Sequence, residues 1–305
     1  MEIINGLPPR GTGNYFIALG NFDGVHIGHK EIITAMVSEA KKLNGKSCVV
    51  TFRNHPSQLL KPHMPAKLLT PPSVKAKLIS RLGVDLLVLL DFNRDLADLS
   101  PFDFVRSYIV GPFTPSLIYV GYNYSFGCKG SGNPDLLEEL GKNFGYKVRV
   151  IPPVYIDERP VSSTYIRGLL EAGKIEEVKQ CLGHWPVYMG EVVHGNALGR
   201  KLGYPTANLL ITEEIQLPRP GVYFGKAEVG GNQYKGVANI GLRPTVNGND
   251  LSFEVHLLGY QGNLYGRELT FHLKKRIRDE KKFSDVNELE RQIARDIALA
   301  AHLKE

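Results

Sequence analysis

Five short runs in the first half of the chain, residues 15–19, 47–52, 85–90, 117–120 and 147–151, are apolar or β-branched at nearly every position. Runs of that kind predict strands buried on both faces. Longer amphipathic stretches separate them. Residues 29–43 carry Ile32, Ile33, Met36 and Ala40 at helical spacing, and residues 73–82, 101–109 and 162–172 predict further helices. Strands alternating with helices imply a parallel sheet with right-handed crossovers, so the first half reads as a doubly wound α/β domain.

The period changes after about Gly183. Residues 187–194, 222–229, 233–239, 252–258 and 268–273 read as short strands between Gly, Pro and Asn clusters, with Gly230-Gly231-Asn232 as a hairpin turn. Strands so spaced predict a small antiparallel β-barrel. A terminal helix closes the pattern. Asp285 and Glu288 form a capping box, and Val286, Leu289, Ile293, Ile297 and Ala300 make one apolar stripe. The boundary is expected at Gly183-His184-Trp185-Pro186, giving domains of residues 1–184 and 185–305.

The composition fits that division. With 305 residues, 43% apolar and 22% charged, the chain suits two ordinary globular domains. No run approaches the roughly 18 apolar residues a membrane-spanning helix needs. The start, Met1-Glu2-Ile3-Ile4-Asn5-Gly6, lacks the basic and apolar regions of a secretory signal. Three widely spaced cysteines, Cys48, Cys128 and Cys181, argue against a disulfide framework and fit a reducing cytoplasm. A net charge of +6 (37 basic minus 31 acidic residues) suits anionic small molecules and nucleic acid alike. Heptads and longer repeats are absent.

The run Gly20-Asn21-Phe22-Asp23-Gly24-Val25-His26-Ile27-Gly28-His29 ends the first predicted strand and opens the first helix. Open α/β sheets bind ligands at that position. Gly24 and Gly28 let a ligand approach the backbone, the helix start offers free amides to an anion, and His26 and His29 can both donate to phosphate oxygens. A His-x-x-His pair also suits a metal or a plain surface, although no cysteine and no obvious third ligand is nearby. The glycine spacing is wrong for a dinucleotide fingerprint, and the Walker lysine is missing. The strand, small-residue loop, His-x-Gly-His and helix resemble the nucleotidylyltransferase signature, in which both histidines hold nucleotide phosphates. Ser162, Ser163, Thr164 and Arg167 make a second anion-binding helix start, or only an N-cap cluster. Residues 51–56 form a polar, proline-bounded loop at a strand end, and residues 121–127 combine aromatics with glycines at another, both suited to a planar ligand.

In the second half, residues 195–208 are glycine-rich and basic, and their amides with Arg200 and Lys201 could cover a polyphosphate. Thr206 and Asn208 present two neutral oxygens suited to Mg²⁺ shared with ATP. As a long connection between strands, the same stretch needs no ligand. Glu254, flanked by Phe253 and Val255, is either structurally paired or a base. Asn239 and Arg243 add polar groups at a strand end.

In their joint order and spacing these segments resemble the bacterial bifunctional riboflavin kinase/FMN adenylyltransferase (FAD synthetase) family over nearly the whole chain. The resemblance rests on residues 20–29, 51–56, 121–127 and 162–167, then 203–208, 221–223, 238–241, 254–256, 265–266, 276–280 and Phe283. It implies that the barrel phosphorylates riboflavin with ATP-Mg²⁺ to FMN, and that the α/β domain transfers AMP from ATP to FMN, giving FAD and pyrophosphate. In the barrel Glu254 would be the general base, with Thr206 and Asn208 at the metal. Gly199, Lys201, Gly203, Pro205 and Asn239 would bind ATP there, and Arg278 the flavin. In the α/β domain His26 and His29 would act on the reacting phosphate. Gly20, Phe22, Asp23, Gly24, Gly28, Ser163, Thr164 and Arg167 would bind ATP, with Asn54, His55, Pro56 and Asn123 beside the flavin. Three positions depart from the family pattern: Asn54 replaces a usual proline, Asn123 a frequent acid, and Tyr165 a common arginine. Two other readings compete. One domain is catalytically silent, or the chain is a flavin-responsive nucleic-acid-binding regulator using Lys274, Lys275, Arg276, Arg278, Lys281 and Lys282. Asp279 and Glu280 interrupt that basic run and no recognition helix is evident, so a charged barrel rim is the better reading and no nucleic-acid or membrane partner is expected.

Overall fold

The computed structural model describes residues 1–11, 13–195, 199, 202–211, 214–245 and 248–303, with backbone alone for those within 242–251. The chain divides into two compact units, Met1–Leu68 with Pro72–Ser163, and Leu69–Pro71 with Thr164–Glu305.

In the first unit six strands form one parallel sheet: β1 (Glu2–Asn5), β2 (Tyr15–Leu19), β3 (Lys46–Phe52), β4 (Leu86–Leu90), β5 (Pro115–Gly121) and β6 (Lys147–Ile151), in the order β1-β4-β3-β2-β5-β6. Its helices are α1 (Ile27–Lys42), α2 (Pro56–Leu60), α3 (Pro72–Ser80), α4 (Arg94–Ala97), α5 (Pro101–Phe104), which runs on as a π-helix through Val110, and α6 (Pro134–Phe144). A small hairpin, β7 (Tyr155–Ile156) and β8 (Arg159–Pro160), completes the unit. Every residue of β2 is buried because alternate side chains serve two cores. Tyr15, Ile17 and Leu19 pack with Phe104 and Phe113, whereas Phe16 and Ala18 pack with Ile33 and Met36 of α1. Helices therefore cover both faces, as a continuous apolar strand pattern demands. The order runs outward in opposite directions from β2 and β5, so their carboxyl ends stand side by side at the topological switch point.

Among the elements outside the expected pattern, β1 and α6 are instructive. β1 is a mostly exposed edge strand with no buried periodicity to announce it. α6 is marked by its ends rather than its middle: Asn133 caps it by accepting from Leu136 N, Pro134 follows, and Gly145 closes it in the left-handed region.

The second unit takes all but the first residue of α7 (Ser163–Glu171), then α8 (Ile175–Leu182). Its barrel comprises β9 (Val187–Val193), β10 (Ala207–Leu210), β11 (Gly221–Val229), β12 (Asn232–Thr245), β13 (Gly248–Leu257) and β14 (Glu268–Arg278). The strands pair antiparallel in the order β10-β13-β12-β11-β14-β9 and close on themselves, which removes free edges. The buried Tyr188, Phe253 and Phe271 pack ring against ring, tilted at 5.2 Å and edge-on at 5.9 Å. β12 runs past the expected end at Asn239, because Gly241 and Pro244 still pair with Ser252 and Asn249. β10 was not among the expected strands.

The helix α9 (Val286–His302) packs Ala300 and Ile297 against Val222, Phe224 and Val237. Its stripe differs from expectation at two positions. Val286 is exposed, and the buried Asp296 joins the inward face instead. The cap also differs. Asp285 accepts from Glu288 N at 2.8 Å, but the Glu288 carboxylate returns to Ser284 N at 3.1 Å, one residue earlier than a reciprocal box requires.

Candidate active sites

In the first unit β2 delivers the chain into a strained turn. Phe22 and Val25 have φ of 47° and 41°, a region that a β-branched residue rarely enters, and Gly24 has φ 84°. Both strained side chains are buried in the core under α1, which holds them there. The turn makes His26 the N-cap of α1, its Nδ1 accepting from His29 N at 3.3 Å. A Cβ at position 28 would stand 3.2 Å from the His26 ring, so glycine keeps that ring in place. The two imidazoles stack with centroids 3.5 Å apart, and Phe22 meets His29 edge-on at 5.2 Å. Burial, with Lys30 adding to it, lowers the His26 pKa to about 4. Burial also holds His29 well below its ordinary value, helped by His26 and Lys75. Both rings are neutral at pH 7, and the accepting Nδ1 of His26 leaves its proton on Nε2.

A cavity of about 390 Å³ opens at the carboxyl ends of the strands. Gly20, Asn21, Phe22 and His29 wall it from the turn, Phe52, His55 and Pro56 from the end of β3, and Phe92, Asn123 and Tyr124 from the loops after β4 and β5. Phe52 and Phe92 meet edge-on at 5.1 Å, and Tyr124 stacks on Phe126 at 5.6 Å. That wall suits a planar aromatic ligand. Two buried polar atoms, Asn21 Oδ1 and His29 Nδ1, have no hydrogen-bond partner among the described residues. Each costs about 1–3 kcal/mol unless a ligand satisfies it.

Asp23 is buried, and its carbonyl accepts from Ser163 Oγ at 3.0 Å. Thr164 and Arg167 follow in α7, in the second unit. His55 caps α2 by accepting from Ser57 N. Asn54 is not in the wall. Its Nδ2 donates to Phe92 O and its Oδ1 accepts from Phe92 N, both at 2.8 Å, which ties the loops after β3 and β4 together.

The neutral His26 has a consequence for acid stability. Unfolding returns it from about 4 to 6.5, so the unfolded chain binds the proton first. Its contribution is intact above pH 6.5 and is lost as the pH falls toward 4, at about 1.4 kcal/mol per pH unit and roughly 3 kcal/mol in all. Urea unfolding followed from pH 7 to pH 4 should show this loss, with a shallower fall in His26→Gln. Parallel curves would assign the acid sensitivity to other groups.

In the second unit a cavity of about 350 Å³ lies against α9. Strand register builds its polar side. Glu254 of β13 is paired with Asn208 of β10 and Asn239 of β12, and Asn239 is paired with Val222, itself opposite Arg278. Five strands thus carry one row of residues. Thr206 Oγ1 donates to Glu254 Oε2 at 3.1 Å, and Ser252 Oγ to Oε1 at 3.3 Å. Gly199 and Tyr204 line the mouth, and Phe283, Leu289, Ile293 and Ile297 supply the apolar side. Arg278 is clamped by the buried Asp296 through Nη2 at 2.8 Å and Nε at 3.0 Å. Gln292 also donates to that carboxylate. A third cavity, of about 600 Å³, is walled by Pro205, Thr206, Ala207, Val255 and residues 260–265. Thr206 belongs to both walls. Gly203, with φ 82°, turns the chain just before them. Lys201 and Arg200 lie outside the described residues, as does the side chain of Arg243.

The family described as FAD synthetase matches residues 9–165, and the family described as riboflavin kinase matches residues 182–304. The chain is 37% identical over 308 residues to a bifunctional riboflavin kinase/FMN adenylyltransferase of Pseudomonas fluorescens, covering 99% of this chain and 98% of the other. Enzymes of the same name from Bacillus subtilis strain 168 and Escherichia coli K12 are 35% and 34% identical, over 92% of this chain and 89% and 90% of theirs. A crystal structure from Streptococcus pneumoniae described as a macrolide-efflux protein is 30% identical, with a TM-score of 0.89 over 100% of both chains. Among the described residues, no helix of the present chain is long and apolar enough to cross a membrane.

Proposed function

Because the chain belongs to the bifunctional riboflavin kinase/FMN adenylyltransferase family, and so makes FMN from riboflavin and FAD from FMN with ATP, we propose that each reaction has its own cavity in its own unit. Adenylyl transfer is assigned to the part that matches the FAD synthetase family, residues 9–165, and the kinase to the part that matches the riboflavin kinase family, residues 182–304. Those matches leave a silent domain or a nucleic-acid-binding regulator without support. The carrying observation is that the two sets of reactive groups never mix: His29 with its orphaned Nδ1 walls one cavity, and Glu254 bonded to Thr206 walls another.

In the kinase the isoalloxazine lies against Phe283, Ile293 and Arg278, and ATP occupies the cavity beyond Thr206. Glu254 accepts the ribityl 5′-hydroxyl proton as the oxygen bonds to the γ-phosphorus and the bond to ADP breaks. A carboxylate cannot ionise an alcohol beforehand, so proton and phosphoryl move together. Thr206 and Asn208 offer hard oxygen donors beside Glu254, a set that fits Mg²⁺, which would neutralise charge on the transferred group. In the first cavity an FMN phosphate oxygen attacks the α-phosphorus of ATP and pyrophosphate leaves. The nucleophile is already ionised, so no base is needed. His26 and His29 donate to the phosphate oxygens, and Gly20, Asp23, Gly24 and Gly28 shape the cradle, with the Asp23 carbonyl held by Ser163 Oγ. Phe52, His55, Pro56 and Asn123 bound the flavin, while Asn54 acts through the loops it ties. The free cysteines support a cytoplasmic setting.

Separate cavities predict complementation in a mixture. Glu254→Gln chains and His29→Ala chains, each unable to convert riboflavin to FAD alone, together restore the conversion through FMN released to solution. A mixture that stops at FMN or riboflavin would refute independent sites.

A further inference from the structure

Lys75, on α3, is fully buried in the first unit although its helix neighbours Val74, Ala76 and Ile79 are apolar and buried as well. Enclosing an ammonium costs several kcal/mol unless it is well bonded, so an apolar residue would be the cheaper filling. Its Nζ donates to Phe52 O at 2.8 Å and to Asn21 O at 3.2 Å. The Asn21 carbonyl accepts a second bond, from the buried Thr51 Oγ1 at 2.9 Å. Asn21 belongs to the strained turn that carries the histidines, and Phe52 ends β3 at the aromatic wall. Both line the cavity. Lys75 itself does not.

We propose that Lys75 is a positioning residue for adenylyl transfer, locking the histidine-bearing turn to the aromatic end of β3 through the Asn21 and Phe52 carbonyls. This rests on the assignment of FAD formation to that cavity. In the proposed site the turn holds phosphate and the end of β3 bounds the flavin, so the approach of the two reactants depends on how these two walls are held together. Misplacement by about 1 Å costs on the order of a hundredfold in rate. The charge of Lys75 also bears on His29, whose proton affinity it lowers, with His26 acting in the same sense.

Lys75→Met keeps the length and removes the donors. Assayed well below its melting temperature, it is expected to lose roughly tenfold to a hundredfold in kcat for FAD formation from FMN, with smaller changes in KM for ATP and FMN. Riboflavin phosphorylation is unchanged. Thr51→Val removes the other bond to Asn21 O and lowers the same kcat more mildly. The double variant loses less than the two effects combined, because both act on one carbonyl. His29→Ala is the control for the cavity itself. If it forms FAD normally, the assignment of the cavity fails. If it loses FAD formation while Lys75→Met and Thr51→Val keep the native kcat, the positioning role is refuted and the cavity assignment stands. Should Lys75→Met not fold, a native kcat in Thr51→Val refutes the role alone.

Discussion

Replacing Glu254 by Gln is expected to slow FMN formation from riboflavin by roughly a hundred- to ten-thousand-fold, the range typical of losing a positioned base. FAD formation from added FMN is expected to be unchanged. Glutamine keeps the volume and can still accept from Thr206 Oγ1, so the row of residues across β10, β13 and β12 survives. What disappears is the acceptor for the 5′-hydroxyl proton. The loss therefore falls on kcat, with the KM for riboflavin little altered, because the apolar wall of Phe283, Ile293 and Ile297 is untouched. Chromatography of flavins over time reads both activities in one sample. Native FMN production by the variant would reduce Glu254 to a structural partner of Thr206, the other reading its apolar strand neighbours allow.

The second large effect is on the other half of the chain. His29→Ala is expected to lower kcat/KM for FAD formation by roughly a hundred- to a thousand-fold, the cost of losing one aligned donor to a charge-bearing phosphate. FMN formation proceeds at the native rate. His29 sits in the cavity wall with an unsatisfied Nδ1 and stacks on His26, the cap of α1. Alanine removes the donor and leaves the Nδ1 of His26 still accepting from the backbone at position 29. His29→Gln, which restores an N–H near the same place, should recover part of the rate. Equal rates in His29→Ala and the native chain would move adenylyl transfer away from this turn.

How much of this could be read beforehand depends on the range of the interactions. The strands β2, β3 and β4 were legible because burial on two faces writes an uninterrupted apolar run. β1 was not, since an exposed edge writes none, and β10 was hidden by the glycines and the proline before it. Pro244 in β12 shows the limit of local rules: it reads as a stop, yet its partner Asn249 carries the ladder past it. Reactive residues stood out where chemistry breaks a local pattern, as Glu254 does on its strand and the histidines do among glycines. Lys75 and Asp296 did not. Nothing near Lys75 separates it from Lys77, and its partners lie 23 and 54 residues away. Asp296 had a faint mark, an acid on an apolar helix stripe, but its partner Arg278 is 18 residues back. Asn54 was noticed as a departure, and its use in tying two loops emerged only with the position of Phe92.

The part played by α9 bears on the order in which a growing chain acquires its abilities. The barrel strands end at Arg278, but the wall built by Leu289, Ile293 and Ile297 and the carboxylate that clamps Arg278 come afterwards. On the ribosome, the residues that line the first unit's cavity, which run from Leu19 to Gly130, emerge before α9 adds its wall to the second unit's cavity. If each reaction has the cavity proposed for it, a nascent chain halted near Asp285 carries the lining of the adenylyl-transfer cavity but lacks the part of the kinase wall that α9 supplies.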